Sequence, residues 1–239
     1  MRYLALATDY DGTLANDGQV TAATIAALEQ LRGSGRKLIL VTGRELADLE
    51  SVFSRLVLFD LIVAENGAVM YTPATREKKL LAEAPDPAFV EELRRRGVKP
   101  LAVGESIVAT CRPHETTALE AIRDLGLELQ VIFNKSSVMI LPATVNKRSG
   151  LKAALKALGI SRRHVVGIGD AENDHAFLKW CGFSAAVANA LPSLKQVADL
   201  TTHAEDGAGV VELIEMILAD DLASRDSVSG TRTRYTAPA

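Results

Sequence analysis

Runs of branched apolar residues alternate along much of the chain with stretches whose apolar positions recur every three or four residues. Tyr3 to Thr8, Lys37 to Val41, Leu61 to Ala64, Val165 to Ile168 and Ser184 to Val187 read as strands of a parallel sheet covered on both faces. Between them, Thr21 to Leu31 carries Ile25, Leu28 and Leu31 at helical spacing, with Gly33 as the stop, and a second helix is expected from Glu45 to about Leu56. This alternation predicts an α/β fold, a Rossmann-like doubly wound parallel sheet.

The alternation breaks after Asn66-Gly67, a hairpin turn signal followed by the strand-like Ala68 to Tyr71. From Pro85 the order becomes helix (Pro87 to Arg96), two strands (Lys99 to Val103, Ser106 to Cys111), helix (His114 to Leu125) and two more strands (Glu128 to Phe133, Ser137 to Leu141). Residues 85–141 therefore form a smaller inserted α+β cap, while 1–84 and 142–220 build one core. Asn146 is the expected N-cap of a helix running to about Leu158. The polar segment 221–239 reads as a flexible tail or a linker.

Composition narrows the function. The chain has 48% hydrophobic and 24% charged residues, an ordinary globular balance. With 27 basic against 30 acidic residues it offers no broad positive field, which argues against nucleic acid. Asp9 interrupts the apolar start, and no later apolar run approaches the roughly 20 residues a membrane span needs. The expected location is the cytoplasm, as a monomer or homodimer. Cys111 and Cys181 are far apart and read as core fillers.

In doubly wound sheets ligands collect beyond the carboxyl ends of the strands. Asp9 and Asp11 follow the first strand, Thr42-Gly43-Arg44 the second, and Asp170-Ala171-Glu172-Asn173-Asp174 the strand Val165 to Ile168. Lys147 joins this rim if its helix aims its N-terminus there. Clustered carboxylates repel unless a cation sits among them, and all-oxygen ligands favour magnesium over zinc. A threonine hydroxyl, backbone N–H groups and a lysine opposite that metal suit a phosphoryl group. One aspartate can then attack phosphorus while its neighbour moves protons.

Asp9-Tyr10-Asp11-Gly12-Thr13, Thr42 in Val-Thr-Gly-Arg, Lys147, and Gly169 to Asp174 together resemble the four ordered motifs of the haloacid dehalogenase superfamily of phosphatases. The inserted cap is similar to that of the subgroup containing phosphoglycolate, sucrose-phosphatase-like and sugar-phosphate phosphatases. The resemblance implies Asp9 as nucleophile and magnesium ligand, and Asp11 as acid and base with its carbonyl on the metal. It implies Thr42, Gly43 and Asn173 as phosphate contacts, Lys147 as the neutralising cation, Asp170 as a metal ligand and Asp174 as the residue orienting the metal's waters. The implied activity is magnesium-dependent hydrolysis of a small phosphorylated metabolite through an aspartyl-phosphate. A phosphomutase and a non-catalytic phosphate-binding regulatory module are the alternatives.

Arg148 departs from the pattern, where many relatives have a small residue, and is expected to face solvent. Arg44, Glu65 and Asn66 lie near the same rim without an assigned catalytic role, Asn66 being read as a turn residue. Glu172 is expected to be an exposed first-turn residue favoured by the helix dipole, a supporting metal role being the alternative, and His164 and His203 are expected to be structural. In the cap, Arg112, His114 and Lys135 are the candidates for substrate contact, and Arg94-Arg95-Arg96 is a solvated helix end.

Overall fold

The computed structural model describes residues 1–226 of the 239-residue chain. In chain order the strands are β1 (Ala5–Thr8), β2 (Lys37–Val41), β3 (Leu61–Ala64), β4 (Val69–Thr72), β5 (Glu77–Leu80), β6 (Ala102–Val103), β7 (Val108–Cys111), β8 (Leu129–Asn134), β9 (Ser137–Pro142), β10 (Val165–Gly169), β11 (Phe183–Ala186) and β12 (Leu200–Thr201). The larger sheet has the order β12-β11-β10-β1-β2-β3-β4-β5, and the smaller the order β6-β7-β9-β8. In the larger sheet β12 through β3 run parallel, while β4 pairs antiparallel with β3 and β5 antiparallel with β4. This is the expected Rossmann-like architecture, with β10 crossing back beside β1.

The central strands are buried on both faces: every residue of β1, β3, β10 and β11 is buried. Each fully buried Leu, Ile or Val there contributes about 1.5–3 kcal/mol. Helices α1 (Ala22–Gly33) and α2 (Leu46–Val52) follow β1 and β2. Thr21 caps α1 by accepting the Thr24 N–H. The smaller sheet packs against α3 (Pro87–Arg95) and α4 (Glu115–Leu125), with Phe89, Val90, Leu93, Ala118 and Ile122 forming a core separate from that of the larger sheet. A third apolar cluster joins the two, setting Ala68 beside Ile107, Met139, Leu141 and Val145.

Helix α5 (Lys147–Leu158) begins with a reciprocal capping box: Asn146 accepts the Ser149 N–H while Ser149 Oγ accepts the Asn146 N–H. The cap fixes where α5 starts and hence which way Lys147 leaves the backbone. Short helices α6 (His175–Leu178) and α7 (Pro192–Lys195) and the long α8 (Asp206–Asp220) complete the larger layer.

Some elements differ from the sequence expectation. Strand β5 has all four residues exposed, so its sequence lacks the period-2 alternation that reveals a half-buried strand. Asp221 and Leu222, at the start of the expected tail, pack on the core: the Asp221 carboxylate pairs with Arg36 at 3.0 Å and accepts the Arg2 and Tyr3 backbone N–H groups, and Leu222 is fully buried. The rest of that segment, from residue 227, lies outside the described residues. No helix among the described residues is long and apolar enough to cross a membrane.

Candidate active site

The loops leaving β1, β2, β3 and β10 meet at one rim, joined by the first turn of α5. Asp9 follows β1 and donates its N–H to the Ile168 carbonyl, which ties it to the neighbouring strand end. Lys147 Nζ lies 2.5 Å from Asp9 Oδ1 and 2.6 Å from Asp174 Oδ1, with the lysine side chain completely buried. The other Asp174 oxygen accepts the Asp170 and Ala171 N–H groups at 2.9 and 3.0 Å. Thr13 Oγ1 completes the cluster, 3.2 Å from Asp170 Oδ1 and 3.4 Å from Asp9 Oδ2.

Asp9, Asp170 and Asp174 present ligand atoms within 4.8 Å of one another, all buried. Their three negative charges face the Lys147 ammonium and one cap ammonium, Lys135, whose Nζ is 2.6 Å from Asp170 Oδ2. Negative charge remains in excess. Burial, then the Asp174 charge, pushes Asp9 well above the ordinary carboxylate value, although Lys147 pulls it back; burial and Asp174 raise Asp170 too. Burial works against the Lys147 charge, yet Asp174 and Asp9 outweigh it and hold that ammonium above its ordinary value. Crowded, buried oxygen donors with surplus negative charge fit a hard divalent cation.

Asp11 stands apart from this cluster. Its carboxylate is gripped by both ends of the Arg44 guanidinium, Nε and Nη2 each at 2.7 Å, and Arg44 also reaches Asp48 at 2.6 Å. The fork fixes the plane of Asp11 at the mouth of the site. Gly12, between the two aspartate positions and Thr13, has φ +74°, and a β-carbon on it would meet Asp170 Oδ2 at 2.6 Å. Asn189 holds the same turn by donating to the Gly12 carbonyl at 2.8 Å.

Thr42 is buried, and its Oγ1 accepts the Arg44 N–H at 3.1 Å. Asn173 donates to Asn66 Oδ1 at 3.1 Å, and a β-carbon at Gly43 would lie 3.7 Å from Asn173 Nδ2. Thr42, Gly43 and Asn173 are thus neighbours beside the carboxylate cluster. Asn66 does more than turn the chain, since it is fully buried and bridges the β2 loop to the β10 loop.

Above the rim, the smaller sheet faces an open cleft of about 980 Å³, lined on one side by Asp11, Gly43 and Arg44 and on the other by Ile107, Lys135 and Met139. Of the three cap candidates only Lys135 enters it. Arg112 stacks on Phe133, 4.6 Å from the ring centroid, and His114 bonds the Lys99 carbonyl at 2.9 Å. Glu172 is exposed yet accepts the Lys135 N–H at 3.0 Å, so it meets the cap. Arg148 is exposed over the Trp180 ring; His164 and His203 bond Arg2 and Glu212; and Arg94, Arg95 and Arg96 pair with Glu91, Glu92 and Asp124.

Sequence reasoning assigned Thr13 no role of its own and left Arg44 and Glu65 at the rim without one. Thr13 and Arg44 stand within the very motifs that located the site, which was the available signal. For the partners of Glu65 there was none, because they lie on the turn between β6 and β7.

The fold agrees with comparison to known proteins. The haloacid dehalogenase-like hydrolase family profile matches residues 6–95 and 124–214, and the chain belongs to that family. Phosphoglycolate phosphatase of Methanothermobacter thermautotrophicus is 32% identical over 225 residues, covering 90% of this chain and 98% of the relative. That of Archaeoglobus fulgidus is 31% identical over 218 residues, covering 89% and 96%. A solved Thermoplasma acidophilum structure superimposes with a TM-score of 0.78 at 16% identity, covering 90% of this chain and 98% of its own. A structure described as a HAD subclass IIB sugar phosphatase gives 0.74 at 19% identity, covering 89% and 98%. Within its family the chain is a phosphatase, a phosphoric monoester hydrolase.

Proposed function

We propose that the chain hydrolyses a small phosphorylated metabolite, phosphoglycolate or a sugar phosphate, with magnesium and through an aspartyl-phosphate on Asp9. The observation that carries this reading is the buried Lys147 ammonium between Asp9 and Asp174, which lets a carboxylate approach an anionic phosphoryl group. The relatives named as phosphoglycolate phosphatases, matched over nearly their whole length, support the choice of substrate, as does a cleft of a size for a small metabolite.

Asp9 Oδ attacks phosphorus and the bond to the leaving oxygen breaks. Asp11, oriented by Arg44, gives that oxygen a proton; it later takes one from the water that cleaves the aspartyl-phosphate, releasing phosphate. Thr42 Oγ1, the Gly43 N–H and Asn173 Nδ2 hold phosphoryl oxygens. Asp9, Asp170 and the Asp11 carbonyl would hold the magnesium ion, with Asp174 orienting its waters and Lys147; bound there, the ion offsets phosphoryl charge. Residues 85–141, acting as a cap, exclude bulk water.

Phosphate release from a panel of phosphorylated metabolites with magnesium tests the reading. Asp9→Asn is expected to abolish release while leaving the fold intact. Retained release would remove Asp9 as nucleophile, and phosphoryl transfer between sugar positions without free phosphate would make the protein a mutase.

A further inference from the structure

The turn after β3 carries three consecutive residues with positive φ: Glu65 (48°), Asn66 (55°) and Gly67 (113°). Left-handed backbone is unfavourable at residues bearing a β-carbon, and glutamate has no special tolerance for it. A hairpin between β3 and β4 could be made with ordinary turn residues, so something else holds Glu65 there.

That something is the cap. Glu65 is 2% exposed, and its carboxylate points out of the core layer into the turn between β6 and β7. Oε1 accepts the Glu105 N–H at 2.9 Å; Oε2 accepts the Ser106 and Ile107 N–H groups at 2.8 and 3.0 Å. Three successive backbone donors converging on one anion form a nest, and each bond is charge-assisted. The turn is shaped to admit the carboxylate, because a β-carbon at Gly104 would lie 2.8 Å from both Cδ and Oε2 of Glu65. The same residue is wired into the catalytic rim through its backbone. The Glu65 N–H donates to the Arg44 carbonyl and the Asn66 N–H to the Thr42 carbonyl, both at 2.9 Å. On the cap side Ile107, one of the three donors, lines the cavity.

We propose that Glu65 is a positioning residue: its carboxylate is the receptor for the β6–β7 turn, holding the cap over the cavity and tying cap closure to the loop that carries Thr42 and Arg44. The contact itself stands on geometry alone, whereas its effect on turnover rests on the phosphatase reading above.

Two variants break the contact from opposite sides. Glu65→Gln keeps the length but sets an amide N–H₂ against one of the backbone donors; Gly104→Ala pushes the turn off the intact carboxylate. Hydrogen exchange of the full-length protein should accelerate about tenfold or more at Glu105, Ser106 and Ile107 in both, with β1, β2 and β3 as protected as in the parent. Because only the closed form holds substrate, KM for phosphoglycolate or whichever metabolite the panel selects should rise in proportion, roughly tenfold, with a smaller change in kcat. Unchanged exchange at those amides would overturn the proposal. So would faster exchange spread evenly through the core, or local opening with KM unmoved, since the contact would then be purely structural. A parent protein that released no phosphate from any substrate would sink the phosphatase reading instead, and the exchange result would still decide the contact.

Discussion

Replacing Lys147 with methionine removes a fully buried ammonium held at 2.5 and 2.6 Å by two buried carboxylates, while keeping an unbranched apolar stem in the same space. Removing one partner of a buried ion pair costs about 3–5 kcal/mol, because the remaining charge is left unpaired in a poorly solvating site. Here two carboxylates lose their partner, but each can escape by taking a proton, which limits the penalty to that range. At about 2–4 °C per kcal/mol for a domain of this size, the melting temperature should fall by roughly 6–20 °C. Lys152→Met, an exposed change of the same charge on the same helix, should stay within about 0.5 kcal/mol of the parent. Thermal melts followed by circular dichroism would measure both, with and without magnesium. The metal should restore part of the lost stability in Lys147→Met, since a second cation then faces the same carboxylates; saturation at about 100 times Kd is worth about 2.7 kcal/mol. Hydrolysis should remain lost, because the metal cannot stand where the ammonium stood. A Lys147→Met protein that melts with the parent and still releases phosphate would refute the charge argument.

The metal-free protein should show a pH signature: Asp9 and Asp170 are raised in the fold, so the native state binds protons more tightly than the unfolded chain. Their contribution to stability is greatest at or below the ordinary carboxylate range near pH ~4 and falls as pH rises through their folded values. Magnesium needs these groups ionised, so the melting-temperature difference between loaded and metal-free protein should widen from pH ~4 towards neutrality; a difference flat with pH would count against the cluster as the metal site. Arg44→Met frees Asp11 from its fork and should lower kcat by up to the ~10²–10⁴-fold that a positioned proton donor supplies, with the phosphate-binding groups still in place. Steady-state kinetics at unchanged kcat would show that Asp11 needs no such orientation.

The apolar runs of β1, β2, β3 and β10 were legible because strands buried on both faces must be apolar throughout, and the order of strands and helices then dictates where their carboxyl ends meet. Asp9, Thr42, Lys147 and Asp170 could therefore be assigned to one rim from their place in the chain. Chain order also marked the inserted sheet as a departure from the alternation. What it could not supply was direction. Asp174 gives one oxygen to Lys147 and the other to backbone N–H groups, Asp11 turns away to Arg44, and of the candidates Arg112, His114 and Lys135 only Lys135 reaches the cavity. Glu65 makes the point most sharply, for its donors lie 40 or more residues away on a turn whose sequence gives no sign of an anion. Periodicity is a property of one segment and its own face, so it reports which side of an element is buried. The contacts that set charge and orientation join segments distant in sequence, and they come into being only when the sheet and its cap have closed on one another.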